Sequence, residues 1–571
     1  MGPDRKREIL IVLLAAAALG MGLWHGLPNV YVPDTHMIRN ALGMAKTMNL
    51  WPPAGMYSTY PYLLSYLLLP VYAATFLIGR VFGAYASPEE FGARVVEDPT
   101  IVYIEARIMV ALFGLMAVLY LYRTARRLGF SLRVATGTAL LLALNPLFVQ
   151  LGHHARPWIP LVAAVTFTLY HSAGIALHAR RRDYLLAALG AGLGFAMHQV
   201  GGALVLLPLC AHFACLKASA LKGKQLLRLG LLIGVMAGVA FFLGYGHMAF
   251  AGKSLDAIPT DQENIDLGGQ KLLITMFSGA RAMEIATAFF GYDPAGSTLG
   301  LIGLLLGLFA ARGFRGLRFA LFVFCGFLSC FFLLYANSHI RYMLPFCPAL
   351  ALGAGYLAAR AGDRKPGCEA LILIPLVLFS SVQTARLDLL LCRTDTRDLA
   401  RDWIERNIPA GTRIAAEGYT APLRPDRASL LFLRDEAGVW LKQKESLILE
   451  GRLRKPEGPE YYLIPLERFW QFRSYWPHQY LLGGDRPIAA FLDDLKTEWI
   501  MLYERWPEQE RHAPMTEYLD QKKAEGPIFS PTRTPHPREA SLPTDMDFPL
   551  FALWYLDRPG PIIKLYKTKA H

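Results

Sequence analysis

Residues 106–129 read ARIMVALFGLMAVLYLYRTARRLG, and this stretch decides the fold class. From Ile108 to Tyr122 it carries no charged side chain; Arg107 stands at one end and Arg123, Arg126 and Arg127 at the other. A soluble helix keeps one polar face, whereas a charge-free run bracketed by arginines suits the hydrocarbon layer of a bilayer. Similar runs recur along the chain. The spans predicted are near 9–27, 105–122, 134–151, 159–178, 184–198, 200–216, 229–250, 297–311, 319–337, 343–361 and 369–386. Two of them, 184–198 and 297–311, are short for a full crossing. Of 571 residues, 54% are hydrophobic and 18% charged. A soluble protein of this length cannot hide that much apolar surface in one or two cores. The expected fold is a polytopic α-helical membrane protein of about 11 spans.

The net charge of +13 invites a nucleic-acid reading, but its distribution argues otherwise. Basic residues cluster between apolar runs, at Arg5-Lys6-Arg7, Arg123/Arg126/Arg127, Arg180-Arg181-Arg182, Lys217/Lys222/Lys224, Arg312/Arg315/Arg318 and Arg360/Arg364/Lys365. That is the pattern of cytoplasmic loops, and it makes the bilayer, not nucleic acid, the partner. An odd number of spans puts the N-terminus in the cytoplasm and everything beyond about 387 outside. Residues 62–82 are apolar enough to cross as well. Counting them would move every later basic cluster to the outer face, so they are read as a helix in the outer interface. Residues 28–104 then form one large outer loop. The N-terminal run has no clean cleavage motif and is read as a retained span.

The seven cysteines imply no disulfide framework, and no CxxC pair or HExxH marks a metal site. Within the outer loop, 35–48 reads as an amphipathic helix. Met37, Ile38, Ala41, Leu42, Ala45 and Met48 share one face; Arg39, Asn40, Lys46 and Thr47 lie on the other. From 388 the character changes. A helical pattern over Thr396–Asn407 stops at Pro409-Ala410-Gly411, and strands are expected at 413–416, 460–464, 498–503 and 562–567, with a helix at 488–496. The chain thus divides into a transmembrane domain, 1–387, and a soluble extracytoplasmic α/β domain, 388–571.

Asp34 is the leading candidate for chemistry, because it follows the first span at the head of the 35–48 helix. A carboxylate there can take a proton from an attacking hydroxyl, or simply cap the helix, and one residue can do both. Arg107, Arg156 and Arg341 fall at outer ends of spans, where a planar fork can grip phosphate or merely snorkel. His153 and His154 sit at an outer turn. Trp51, Tyr57, Tyr60, Tyr62 and Trp158 can stack on sugars or form an interfacial belt.

Several motifs occur in a telling order. Val32-Pro33-Asp34-Thr35-His36 is followed by Trp51-Pro52-Pro53 and Tyr60-Pro61-Tyr62; then come Ala106-Arg107, Arg126-Arg127-Leu128-Gly129, and Gly152-His153-His154-Ala155-Arg156-Pro157. Arg341-Tyr342-Met343-Leu344-Pro345 and Arg397-Asp398-Leu399-Ala400 complete the series. Together they resemble GT-C superfamily glycosyltransferases, in the bacterial branch related to protein O-mannosyltransferases and aminoarabinose transferases. The resemblance covers most of 1–415. It departs at Thr35 and Trp158, where relatives place carboxylates that can bind metal, and at Tyr60, where some place lysine.

The resemblance implies an inverting transfer from a polyprenyl-phosphate sugar, hexosyl or pentosyl, to an extracytoplasmic glycan, lipid or protein. Asp34 would be the general base. His36, Tyr60, Arg107, His153, His154, Arg156, Arg341 and Tyr342 would line the substrate site. No metal ligand set is named. The topology agrees, since nucleotide sugars are cytoplasmic and an outward site needs a lipid-borne donor. A flippase for lipid-linked sugars would instead want mid-span charges and repeated halves. A non-catalytic relative is the reading that Thr35 and Trp158 would favour.

Overall fold

In a computed structural model the quoted run lies within α5 (Thr100–Arg127), preceded by α1 (Pro3–Gly20), α2 (Thr35–Thr47), α3 (Leu63–Val81) and α4 (Pro88–Glu97). There follow α6 (Leu132–Ala143), α7 (Pro146–Gly152), α8 (Trp158–His178), α9 (Arg181–Met197), α10 (Leu206–Cys215) and α11 (Gly223–Ala240). After a short antiparallel pair, β1 (Asn264–Leu267) and β2 (Gln270–Leu273), come α12 (Ala282–Tyr292), α13 (Pro294–Phe309), α14 (Arg315–Leu334), α15 (Cys347–Arg364) and α16 (Cys368–Leu391). The structure describes residues 2–31, 35–50, 61–215, 223–246, 264–267, 270–273, 277–279, 282–309, 315–335, 339–418, 420–436, 441, 443–451, 453, 458–466, 488–504, 513–522, 526–532 and 550–568.

The chain forms two units. One comprises Met1–His25, Pro33–Ala84 and Ile101–Leu389; the other Gly26–Val32, Tyr85–Thr100 and Leu390–His571. Two pieces of the 28–104 loop therefore group with the C-terminal residues, which loop length alone does not suggest.

Among the described residues, six helical runs are long and apolar enough to cross a membrane: Leu63–Val81, Thr100–Arg127, Trp158–His178, Leu227–Tyr245, Ile340–Arg364 and Cys368–Asn407, the last continuing beyond Leu389, where the first unit ends. The pair α6 and α7, bent by 54°, makes a seventh if it is one span, and shorter apolar helices cover Gln199–Phe213, Pro294–Gly307 and Ala320–Leu334. The bend has a local cause: Asn145 accepts a hydrogen bond from Phe148 N and Pro146 opens α7. The first expected span, 9–27, is corrected. Its helix begins at Pro3 and stops at Gly20, and the chain turns through Gly22 and Gly26, both at positive φ.

Helix α3 has the length and composition of a span, although its residues are expected in the interface. The sequence reading predicts that Glu90→Cys, in an otherwise cysteine-free chain, reacts with an impermeant maleimide on intact cells. Labelling only after permeabilisation would make α3 a crossing helix.

Charge pairs fasten one end of α5. Tyr122 Oη donates to Asp4 at 2.8 Å, Arg123 pairs with Glu8 at 2.8 Å, and Arg126 pairs with Asp4 at 3.0 Å. Arg127 reaches both oxygens of buried Asp183, at 3.1 and 3.3 Å, and His171 Nδ1 lies 2.9 Å from the same carboxylate. A Cβ on Gly174 would sit 2.4 Å from that group, so glycine is what admits the cluster. From Arg127 back to Arg107, at 1.5 Å per helical residue, is about 30 Å, the thickness of the hydrocarbon layer.

The second unit centres on a five-stranded sheet of β3 (Arg413–Ala416), β4 (Tyr462–Pro465), β5 (Trp499–Glu504), β6 (Ile528–Phe529) and β7 (Ile562–Lys567), in the order β4-β3-β5-β7-β6. β3 pairs parallel with β4 and β5, and β7 runs antiparallel to β5 and β6. Alternation along β3 sends Ile414 and Ala416 to one core, with Ala400 and Ile404 of α17 (Thr396–Asn407), and Ala415 to the other, with Leu492 and Tyr518. Four strands fall within about two residues of expectation. β6 has only two residues, too few for a period to show.

The Arg397-Asp398 motif is packing. Buried Arg397 grips Asp395 through Nε and Nη2, at 2.9 and 2.8 Å, and lies 3.9 Å over the Tyr31 ring. Asp398 accepts from Tyr31 Oη at 2.8 Å and from Asn29 Nδ2 at 3.0 Å.

Candidate functional site

α2 buries Met37, Ile38, Ala41 and Met44, and Asn40 with them. Met48, expected on the apolar face, is 92% exposed. The helix ends at Thr47 and Met48 turns out at positive φ, so the heptad position it would fill no longer exists. Asp34 and Tyr60 lie outside the described residues, as do Trp51 and Tyr57. His36, in the first turn of α2, is half-buried. Burial first, and then the charges of Arg156 and His198, hold its imidazole down at about 3. It is therefore neutral at ordinary pH, with one nitrogen able to accept.

Arg156 lies in the turn between α7 and α8, and its charge also acts on buried His154, whose pKa is drawn well down by burial and then by Arg156 and Arg107. Trp158, the first residue of α8, packs its ring 4.4 Å from that of His198 and 5.0 Å from that of Tyr342. Trp158 thus bridges His198, which closes α9, and Tyr342. Arg341 and Tyr342 belong to a 3-10 segment, Ile340–Phe346, with the guanidinium 5.4 Å from the Tyr342 ring. The charge of Arg341 reaches His198. So His36, Arg156, Arg341 and Tyr342 gather with Trp158 and His198, all within the first unit.

Arg107 and His153 have other neighbours. Arg107, fully buried in α5, donates from Nη1 to the carbonyls of Leu23 and His25, both at 2.7 Å. Its sequence neighbour Glu105 accepts from the Thr75 hydroxyl. His153 places Nδ1 2.8 Å from Val149 O and Nε2 2.6 Å from Met21 O. Both side chains thus hold the Met21–His25 turn. His198 closes α9 and accepts from Val200 N through its own side chain. Its only sequence signal is a histidine between an apolar helix and Gly201-Gly202. Asp388, with Oδ1 3.9 Å from His153 Nε2, gives no sequence signal, being an acid at the end of an apolar run. Among the described residues, no three His, Cys, Asp or Glu side chains group to hold a metal ion.

Residues 102–245 match the family model of dolichyl-phosphate-mannose-protein mannosyltransferases. This mannosyltransferase match runs from the first turn of α5 past α11 and contains Arg107, His153, His154, Arg156, Trp158 and His198. It bears out the resemblance drawn from the sequence. Among solved structures, ArnT from Cupriavidus metallidurans bound to undecaprenyl phosphate is similar at 16% identity and a TM-score of 0.45, over 70% of this chain and 72% of that one. A mutant of the arabinofuranosyltransferase AftD from Mycobacteria is similar at 15% identity and a TM-score of 0.42, over 99% of this chain. The chain spans 42% of the AftD chain. No curated protein matches.

Proposed function

We propose that the chain is a membrane glycosyltransferase that moves a hexose or pentose from a polyprenyl-phosphate donor to an extracytoplasmic acceptor with inversion. The observation that carries this reading is the mannosyltransferase match over 102–245, because that stretch supplies the turn at 153–156. In the reaction, Asp34 takes the proton of the acceptor hydroxyl as it attacks the anomeric carbon, and the bond to the phosphate oxygen breaks. Arg156 and Arg341 receive the departing phosphate, whose charge grows as that bond lengthens. Neutral His36 accepts a hydrogen bond from a sugar or acceptor hydroxyl, and Tyr342 and Trp158 offer ring faces. Arg107 and His153 hold the Met21–His25 turn, and His154 sits beside them.

The test is turnover by the purified, reconstituted protein with a panel of polyprenyl-phosphate hexoses and pentoses, reading release of polyprenyl phosphate. Release from no donor, with added acceptor extracts, would overturn the proposal. A finer measurement addresses the arginines. Arg156→Lys and Arg341→Lys keep the charge and apolar stem but lose the fork. Each should cost about 1.5–3 kcal/mol of donor or transition-state binding, roughly tenfold or more. Unchanged donor affinity and turnover in both variants would remove the two arginines from the phosphate site.

A further inference from the structure

The Met21–His25 turn is held by two buried side chains, and the chemistry of one of them is unusual. A carbonyl oxygen only accepts hydrogen bonds, and a neutral imidazole carries a single N–H. Yet His153, 1% exposed, sets Nδ1 against Val149 O at 2.8 Å and Nε2 against Met21 O at 2.6 Å. In either neutral tautomer, one nitrogen lone pair would face a carbonyl lone pair at hydrogen-bond distance. Only the doubly protonated ring satisfies both contacts.

A buried cation needs a counter-charge. Asp388 supplies it. Its carboxylate, on the last turn of α16, is 4% exposed and has Oδ1 3.9 Å from His153 Nε2. That oxygen has no hydrogen-bond partner among the described residues. One turn earlier, Thr384 Oγ1 donates to Leu144 O at 2.8 Å, which sets α16 against the elbow between α6 and α7.

We infer that His153 is an imidazolium with Asp388 as its buried counter-ion, and that the pair positions the Met21–His25 turn ahead of the candidate site. The other charged and titratable groups here are Arg107 from α5, His25 from the turn itself, and His154 beside His153; Arg341, on the segment packed against α7, directs its charge to His198. Burial, the largest influence, and Arg107 draw the His153 pKa down, while the two carbonyls favour the imidazolium; Asp388, 3.9 Å away, supplies the opposing charge. The pair holds the same proton whichever partner carries it. Only on His153 does that proton satisfy the second carbonyl.

Asp388 is thus a positioning residue; its kinetic effect rests on the proposed function, its spectroscopic effect does not. Full-length protein labelled with ¹⁵N-histidine, with His153→Gln to identify the resonance, reads the protonation state directly. About two units above the ordinary histidine value of about 6.5, His153 should still show two imidazolium nitrogens. In Asp388→Asn it should show a neutral tautomer at that pH and regain the second proton only on acidification. A neutral His153 in the wild-type protein, which needs no variant to fold, overturns the inference, as does an unchanged imidazolium in Asp388→Asn. In turnover, Asp388→Asn should lower kcat about tenfold with donor KM within about twofold, and Asp388→Glu should recover part of the loss. A changed spectrum with unchanged kcat overturns the positioning role. Absence of transfer in the wild-type protein, with the imidazolium present, removes the proposed function and leaves the pair standing.

Discussion

Asp34→Asn is expected to lower transfer by about two to four orders of magnitude while leaving the protein folded, because a positioned general base contributes on that scale. Asparagine is as good a helix N-cap as aspartate and nearly the same size, so the start of α2 should survive the change. What the amide lacks is the basic oxygen that would take the acceptor's proton in the proposed reaction. His36 is the nearest titratable neighbour in sequence, and burial with the charges of Arg156 and His198 holds it at about 3. A group so poor at keeping a proton is a weak base. The measurement is single-turnover transfer by purified variant and wild type at equal donor saturation, with melting profiles alongside. Retention of more than about a tenth of wild-type turnover would show that another group takes the proton.

Asp395→Ala should be the most damaging single change in the C-terminal unit, costing about 3–5 kcal/mol. Arg397 and Asp395 are each almost wholly buried and joined by two charge-assisted hydrogen bonds. Removing the carboxylate strands a guanidinium away from water. Asp395 also accepts from Arg397 N, so the first turn of α17 loses its cap in the same step. The backbone around it has little room to adjust. Thr396 N donates to Pro559 O, and Gly560 sits at φ +104° where any side chain would meet Asp395. Replacing both partners, Asp395→Ala with Arg397→Leu, should recover part of the loss, since no charge is then left unpaired. Urea-dependent proteolysis of sites beyond 390 reads the effect. A single-variant cost below about 1 kcal/mol would mean that water reaches the pair.

Much of the architecture was legible locally. The apolar runs marked the helices that carry α5, α8 and α16, and alternation marked β3, β4, β5 and β7, because burial repeats at the period of the element that is buried. Where periodicity was short or interrupted, the reading failed. The two-residue β6 has no period, and beyond Gly20 the chain turns through Gly22 and Gly26 at positive φ while Arg107 and His153 take up the carbonyls of that turn.

The candidate site divides along the same line. Arg156 and Arg341 stood out in sequence as charges at the ends of apolar runs. That His36, His198 and Trp158 gather with them depends on four chain segments meeting, and spacing along one chain carries no information about that. Arg107 shows the limit most clearly. Its place at the end of an apolar run marked it as an arginine to grip phosphate or snorkel, whereas it is fully buried and its partners, the carbonyls of Leu23 and His25, lie 84 and 82 residues away. The sequence determined which residues must leave water, because transfer free energy belongs to each side chain. The tertiary structure alone decided which polar groups meet there, because a hydrogen bond depends on distances that only the folded chain creates.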